Sequence, residues 1–80
     1  MPILYIRTGC PYCAKVLQYA EGANIALELK NVSDPEVASD LLARGGKSQV
    51  PYLVDEEHGV EMYESDDIIE HLHATFTTSE

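Results

Sequence analysis

Two cysteines, Cys10 and Cys13, are the residues of this chain best suited to do chemistry. They are the only cysteines among its 80 residues and lie in the segment Cys10-Pro11-Tyr12-Cys13. A C-x-x-C spacing at a strand-to-helix junction is typical of a dithiol that is reversibly oxidised to a disulfide. The loop that such a disulfide closes is too small to stabilise a fold appreciably, so the spacing favours redox chemistry over a structural cross-link.

The segments around the pair predict that its two thiols differ in exposure. The apolar run from Ile3 to Ile6 predicts a strand covered on both faces. From Pro11 onward, apolar residues recur at helical spacing in a stripe that begins at Cys13 and stops before Gly22. Cys10 then precedes the helix, where backbone N–H groups and the helix dipole stabilise a thiolate, whereas Cys13 faces the core. We therefore expect a thiolate at Cys10 and a resolving thiol with a higher pKa at Cys13.

Three further segments could hold a ligand beside the thiols. A cis bond at Val50-Pro51 would leave the Val50 backbone free to pair with a peptide. At Ser65-Asp66, a predicted helix start, backbone N–H groups could bind a carboxylate and Asp66 an ammonium group. Arg7 could bind a second carboxylate, and a ligand with these groups around a central thiol is glutathione. Each segment also has a structural interpretation, as the start of a strand or the cap of a helix.

Zinc binding is the main alternative for the cysteine pair. Structural zinc takes four N or S ligands, so two histidines would have to join the thiols. His71 and His73 stand two positions apart on a predicted helix, about 200° around its axis, and cannot point at one ion. His58 lies in a predicted turn. The sequence therefore predicts no metal site and no tightly bound cofactor.

Composition and charge disfavour several classes of protein. Fourteen acidic and five basic residues give a formal net charge of -9, which disfavours nucleic acid and anionic membrane surfaces as partners. The apolar fraction of 45% is ordinary for a globular domain. Neither a secretory signal nor an apolar run of membrane-spanning length is visible. We expect one domain over residues 1–80 that is cytoplasmic and monomeric.

The remaining patterns predict an α/β fold with the order βαβαββα. After the first strand and helix, the predicted features are a strand over 25–30, a helix from a Ser33 cap to Gly45-Gly46, strands over 52–54 and 60–62, a helix capped by Ser65, and a frayed tail over 77–80. The β-α-β unit requires parallel strands, and the late hairpin supplies an antiparallel pair. The first strand should be central and the alternating strands should lie at the edges. In the second helix, Val37, Leu41 and Leu42 should face the core.

Over nearly its whole length the chain resembles the glutaredoxins. The segment from Tyr5 to Cys13 resembles their dithiol motif, that from Gly46 to Pro51 their cis-proline segment, and that from Ser65 to Asp67 their γ-glutamyl-binding helix start. The resemblance implies a thioredoxin-like (glutaredoxin) fold, with a four-stranded mixed sheet flanked by helices. It implies that Cys10 is the nucleophile and that glutathione is the reductant. The residues expected to bind glutathione are Arg7, Tyr12, Gln49, Val50, Pro51, Ser65 and Asp66.

Some positions depart from the glutaredoxin pattern. Gln49 replaces a usual threonine, Arg7 stands where lysine is common, and Tyr63-Glu64 replaces a pair of glycines. The resulting Tyr-Glu-Ser sequence at 63–65 resembles the N-terminal domain of glutathione transferases, where a Glu-Ser pair holds the γ-glutamyl group. The departures support glutathione binding and bear on substrate preference.

The sequence thus predicts a glutathione-dependent thiol-disulfide oxidoreductase that reduces protein–glutathione mixed disulfides and protein disulfides. Its partners would be glutathione, as co-substrate, and glutathionylated or disulfide-containing proteins. Three alternatives stay open. The chain could be a redoxin that is reduced by thioredoxin reductase and serves ribonucleotide reductase or a similar enzyme. It could carry an iron–sulfur cluster held by Cys10 of two subunits and two glutathiones, or it could be an interaction module with inert thiols.

Overall fold

A four-stranded sheet and three helices form the fold of the computed structural model, which describes residues 1–76. In chain order the elements are β1 (Ile3–Ile6), α1 (Pro11–Gly22), β2 (Glu28–Asn31), α2 (Pro35–Gly45), β3 (Tyr52–Asp55), β4 (Val60–Met62) and α3 (Ser65–Phe76). This is the predicted βαβαββα order. The expected frayed tail, 77–80, lies outside the described residues.

The sheet is mixed, with the strand order β2-β1-β3-β4. Strand β1 pairs parallel with β2 and antiparallel with β3, and β3 pairs antiparallel with β4. The predicted mixed sheet, with β1 inside it and β2 and β4 at its edges, is confirmed. Strand β2 begins at Glu28, later than predicted. The backbone N–H of Ile25 still bonds to the C=O of Ala20 in α1 at 2.9 Å, whereas the N–H of Glu28 bonds to the C=O of Pro2, next to β1, at 2.8 Å.

Two apolar clusters cover the two faces of the sheet. Successive strand residues point to opposite faces, so Leu4 and Tyr5 of β1 enter different clusters. The first cluster joins the sheet to α1 and α3, and its buried members are Leu4, Val16, Leu53, Ile68 and Leu72. The second joins the sheet to α2, and its buried members are Tyr5, Leu41, Tyr52 and Val54. Helix α1, which carries the cysteine pair, is therefore fixed against both the sheet and α3.

Helix α2 corrects two expectations. Its N-cap is Asp34, whose carboxylate accepts a hydrogen bond from the Glu36 N–H at 2.9 Å, so the predicted Ser33 cap is wrong by one residue. Leu42 is 51% exposed, so its predicted core position is also wrong. Leu41 does face the core as predicted, at 1% exposure, and the next residue of a helix is turned about 100° away from it.

Candidate functional site

Cys10 and Cys13 lie at the start of α1, where the local backbone separates their environments. Cys10 is the N-cap of the helix, and its Sγ accepts a hydrogen bond from the Cys13 N–H at 3.3 Å. Pro11 occupies the first turn, where its missing N–H leaves no helical bond unmade. Cys10 is half-buried and Cys13 is 1% exposed, in agreement with the predicted difference.

The two thiols differ in acidity as well as in exposure. Partial burial acts to raise the pKa of Cys10, but hydrogen bonds from the Cys13 thiol and the backbone N–H groups of Cys13 and Tyr12 act against it. Together with the charge of Arg7 they leave the pKa of Cys10 below its usual value. Burial raises the pKa of Cys13 to about 11, with further contributions from the hydrogen bond and the charge of Cys10. Cys10 is therefore the more acidic thiol of the pair.

A cavity of about 240 Å³ lies beside the cysteine motif. It is lined by Tyr12, Lys15, Gln49, Val50, Pro51, Tyr63, Glu64, Ser65 and Asp66. The structure thus brings together six of the seven residues predicted to bind glutathione. Their segments are far apart in sequence, and the packing of α1 against the sheet and α3 joins them.

Arg7, the seventh predicted residue, does not line this cavity. It borders a separate cavity of about 340 Å³ towards α2, together with Val32, Ser33, Ala38, Leu41 and Ser48. Arg7 follows β1 directly and is exposed. Its charge acts to lower the pKa of both cysteines, although burial still raises that of Cys13 overall. Arg7 therefore acts on the thiols through its charge, as expected. It does not line the cavity beside the cysteine motif, across which it was predicted to bind a carboxylate.

The Val50-Pro51 segment forms the wall of the cavity before β3. The Val50–Pro51 peptide bond is cis, as the resemblance implied. Pro51 is buried and Val50 half-buried. Because β3 begins only at Tyr52, the N–H and C=O groups of Val50 are not part of the sheet ladder.

The start of α3 forms another part of the cavity lining. Ser65 is the first residue of the helix, and the C=O of Glu64 accepts from the Ile68 N–H at 2.8 Å, so the predicted Ser65 cap is wrong by one residue. Ser65 is buried, and Asp66 forms an ion pair with Lys15 of α1. Sequence analysis did not place Lys15 in this cavity, although Lys15 stands three positions after Tyr12, which sets both on one face of α1.

A buried carboxylate lies away from this cavity, at the end of β3. Asp55 is 2% exposed and accepts hydrogen bonds from Nδ1 of His58 at 2.8 Å and Nε2 of His71 at 2.9 Å. Burial acts to raise the pKa of Asp55, but the bonds from His71 and His58 outweigh it and lower the pKa below its usual value. The two histidines thus join the turn after β3 to α3, which sequence analysis missed.

Among the described residues, no helix is long and apolar enough to cross a membrane. Within residues 1–76, no group of three or more His, Cys, Asp or Glu side chains is arranged to hold a metal ion.

The mixed sheet, the three helices and the dithiol at the start of α1 define a protein of the thioredoxin fold. The chain belongs to the family of glutathione S-transferase N-terminal domains, whose model matches residues 4–80. This match agrees with the resemblance of residues 63–65 to the transferases. No curated protein matches the sequence.

Solved structures support the same fold. A glutathione S-transferase from the Antarctic clam Laternula elliptica is 28% identical, with a TM-score of 0.78 over 94% of this chain and 35% of that one. Glutathione transferase Omega 3C from Trametes versicolor is 27% identical, with a TM-score of 0.81 over 94% of this chain and 31% of that one. The chain thus spans about a third of the length of these transferases. A mutant of the thioredoxin-like protein BC3987, 23% identical, matches 96% of this chain and 100% of its own with a TM-score of 0.79, which supports the fold alone.

Proposed function

We propose that the protein is a glutathione-dependent thiol-disulfide oxidoreductase of the glutaredoxin type. The observation that carries this proposal is the inequality of the two thiols. Cys10, half-buried at a helix N-terminus with a lowered pKa, is suited to attack a disulfide, and the buried Cys13 is suited to follow it. Membership of a glutathione S-transferase domain family supports glutathione as the co-substrate.

The reaction begins at the Cys10 thiolate. Cys10 Sγ attacks the glutathione sulfur of a protein–glutathione mixed disulfide, and the S–S bond to the target breaks as the Cys10–glutathione bond forms. The target thiolate leaves and takes up a proton. A second glutathione thiolate then attacks the glutathione sulfur, which releases glutathione disulfide and regenerates the Cys10 thiolate.

Protein disulfides follow a route that needs Cys13. Cys10 first forms a mixed disulfide with the target, and Cys13 Sγ then attacks Cys10 Sγ, which releases the reduced target and leaves a Cys10–Cys13 disulfide. The charge of Cys10 is one of the causes that raise the pKa of Cys13. Because the mixed disulfide removes that charge, Cys13 ionises more readily at the step that needs its thiolate. Two glutathiones then reduce the internal disulfide.

The cavity beside the motif supports binding of the γ-glutamyl end of glutathione. Its ammonium group would pair with Asp66, and its carboxylate would meet Lys15 and the N–H groups at the start of α3. Lys15 and Asp66 are already paired, but both side chains are more than half exposed, and such a pair contributes only about 0–1 kcal/mol. The cysteinyl backbone of glutathione would pair with Val50. A monomer in the reducing cytoplasm fits the proposal, since one chain supplies both thiols.

Turnover of a glutathione mixed disulfide tests the proposal. The assay measures reduction of a glutathionylated peptide with glutathione and a recycling reductase, and a parallel arm supplies thioredoxin reductase instead. Wild-type protein should turn over with glutathione, Cys10→Ser should be inactive, and Cys13→Ser should keep deglutathionylation while losing reduction of protein disulfides. Full activity of Cys10→Ser would falsify the mechanism. Turnover with thioredoxin reductase alone would favour the redoxin alternative.

Transfer of glutathione to an electrophile is a second candidate, favoured by the family match. In that reaction the sulfur of glutathione forms the new bond, so Cys10 is not consumed. Conjugation of a chloronitrobenzene that survives Cys10→Ser, without turnover of the mixed disulfide by the wild type, would select this candidate. Glutathione-dependent binding of an iron–sulfur cluster under anaerobic reconstitution would select the cluster-carrier alternative.

A further inference from the structure

Tyr63, between β4 and α3, holds the segment that leaves α2. Its hydroxyl accepts a hydrogen bond from the Lys47 N–H at 3.1 Å and donates one to the Lys47 C=O at 3.2 Å. The Lys47 Nζ lies 5.5 Å from the centroid of the Tyr63 ring, within the range of a cation–π contact. The ring centroid of Tyr63 is 4.4 Å from that of Tyr52 in β3. One side chain therefore ties both backbone polar groups of Lys47 to the sheet.

A glycine makes room for this contact. A Cβ atom at Gly45 would lie 2.7 Å from Cζ of Tyr63 and closer still to its hydroxyl oxygen. Only a residue without a side chain allows the tyrosine to reach Lys47. Gly46 follows with φ of 82° as the C-cap of α2 and turns the chain toward Lys47.

The held segment leads directly to the cavity wall. Lys47 stands three residues before Val50, and both Gln49 and Val50 line the cavity, as Tyr63 itself does. Residues 47–50 lie outside helices and strands. Within residues 1–76, the two bonds from Tyr63 are the hydrogen bonds that tie this segment to the rest of the fold.

We infer that Tyr63 is a positioning residue for the glutathione site, which it serves through Lys47 and with the room that Gly45 leaves. The inference rests on the proposed function. Tyr63 fixes the segment before ligand arrives, so that the backbone of Val50 is already placed to pair with a peptide. Such preorganisation improves binding because less ordering remains to be done when the ligand binds.

The variant Tyr63→Phe keeps the ring and removes both hydrogen bonds. Hydrogen exchange of the Lys47 amide should become faster. The KM for the glutathione mixed disulfide should rise roughly threefold to tenfold, which is the change in affinity that corresponds to the net contribution of one ordinary hydrogen bond. The rate of Cys10 alkylation and its pH dependence should not change, since the Tyr63 hydroxyl bonds to the Lys47 backbone and not to a thiol. Tyr52→Phe is the matched control, because it removes a hydroxyl from the same aromatic pair whose bond goes to Glu61 instead.

A pair of glycine variants provides a second test. Gly45 and Gly22 are each the last residue of a helix, but a Cβ at Gly22 would meet nothing within 4 Å. Gly45→Ala should displace Tyr63 and raise the KM as Tyr63→Phe does, whereas Gly22→Ala should leave it unchanged.

The outcomes separate this inference from the proposed function. If wild-type protein shows no glutathione-dependent turnover, the proposed function fails and the inference fails with it. If the wild type turns over normally and Tyr63→Phe has the same KM, only the inference is overturned. An unchanged exchange rate of the Lys47 amide in Tyr63→Phe would overturn it as well, whatever the kinetics. An equal rise in KM for Tyr52→Phe would show a general loss of packing and would also refute it.

Discussion

Replacing Cys13 in two ways tests how the thiols are coupled. Cys13→Ala removes the side-chain donor that helps to hold the Cys10 thiolate, whereas Cys13→Ser keeps a donor in the same place. A hydrogen bond to a charged group contributes about 1.5 kcal/mol, which corresponds to roughly a tenfold change in proton affinity. The fraction of Cys10 present as thiolate should therefore fall about tenfold in Cys13→Ala. Because a more basic thiolate is also more nucleophilic, with a Brønsted coefficient of about 0.4–0.5, each remaining thiolate should react roughly threefold faster, which offsets part of that fall. We expect Cys10 of Cys13→Ala to be alkylated about threefold more slowly than that of Cys13→Ser at pH values where Cys10 is mostly protonated.

The pH profile of alkylation distinguishes this cause from a change in access. At alkaline pH, where Cys10 is ionised in both variants, Cys13→Ala should become the faster of the two, so the profiles should cross. A change in access would instead separate them by a constant factor at every pH. In the wild type, a pKa of about 11 leaves Cys13 ionised in about one molecule in ten thousand at neutral pH, so iodoacetamide should label Cys10 alone. Equal labelling of both cysteines, or identical profiles of the two variants, would refute the reasoning.

Further predictions concern the core, the buried carboxylate and the cavity. Leu41→Ala, at a buried position, should lower the free energy of unfolding by about 2–5 kcal/mol. Leu42→Ala, at an exposed position, should lower it by less than about 1 kcal/mol, and urea unfolding of both variants measures the difference. Asp55→Asn should cost about 2–4 kcal/mol at neutral pH. Folding lowers the pKa of Asp55, so the difference in free energy of unfolding between the wild type and Asp55→Asn should be complete above about pH 4. It should shrink as the pH falls through the folded-state pKa, and urea unfolding at several pH values measures this. Asp66→Asn should weaken glutathione binding severalfold, as measured by calorimetry. Asp67→Asn is the control, because Asp67 does not line the cavity, and it should leave binding unchanged. Equal effects of the two variants would contradict the proposed contact between Asp66 and the ammonium group.

The features that sequence analysis predicted correctly are those that a local pattern encodes. The continuous apolar run of β1 indicated an inner strand, and β1 does lie between β2 and β3. The unequal burial of Cys10 and Cys13 followed from one turn of helical periodicity, because the core face of α1 is set by residues three and four apart. The error of one residue at the cap of α2 arose because Ser33 and Asp34 are both good caps.

The features that were missed depend on contacts between distant segments. Nothing near Lys47 in the sequence indicates that Tyr63, sixteen residues later, holds its backbone. The side of β1 toward which Arg7 is directed depends on how α2 packs over the sheet, which no local pattern specifies. Asp55 gave the same difficulty, since the turn that follows it is evident from the sequence but its bond to His71 of α3 is not.

The two family resemblances describe different parts of one site, and their combination bears on the chemistry. The transferase-like residues, Glu64 and Ser65, form the wall that would hold the amino-acid end of glutathione. Neither cysteine of the dithiol lines the cavity, but Tyr12, which stands between them in the sequence, does. Under the proposed function, the lowered pKa of Cys10 favours its thiolate as the attacking group, so the protein would not have to ionise the glutathione thiol. Glutathione can then serve as the group that is captured and as the reductant, which is the division of roles that a thiol-disulfide oxidoreductase requires.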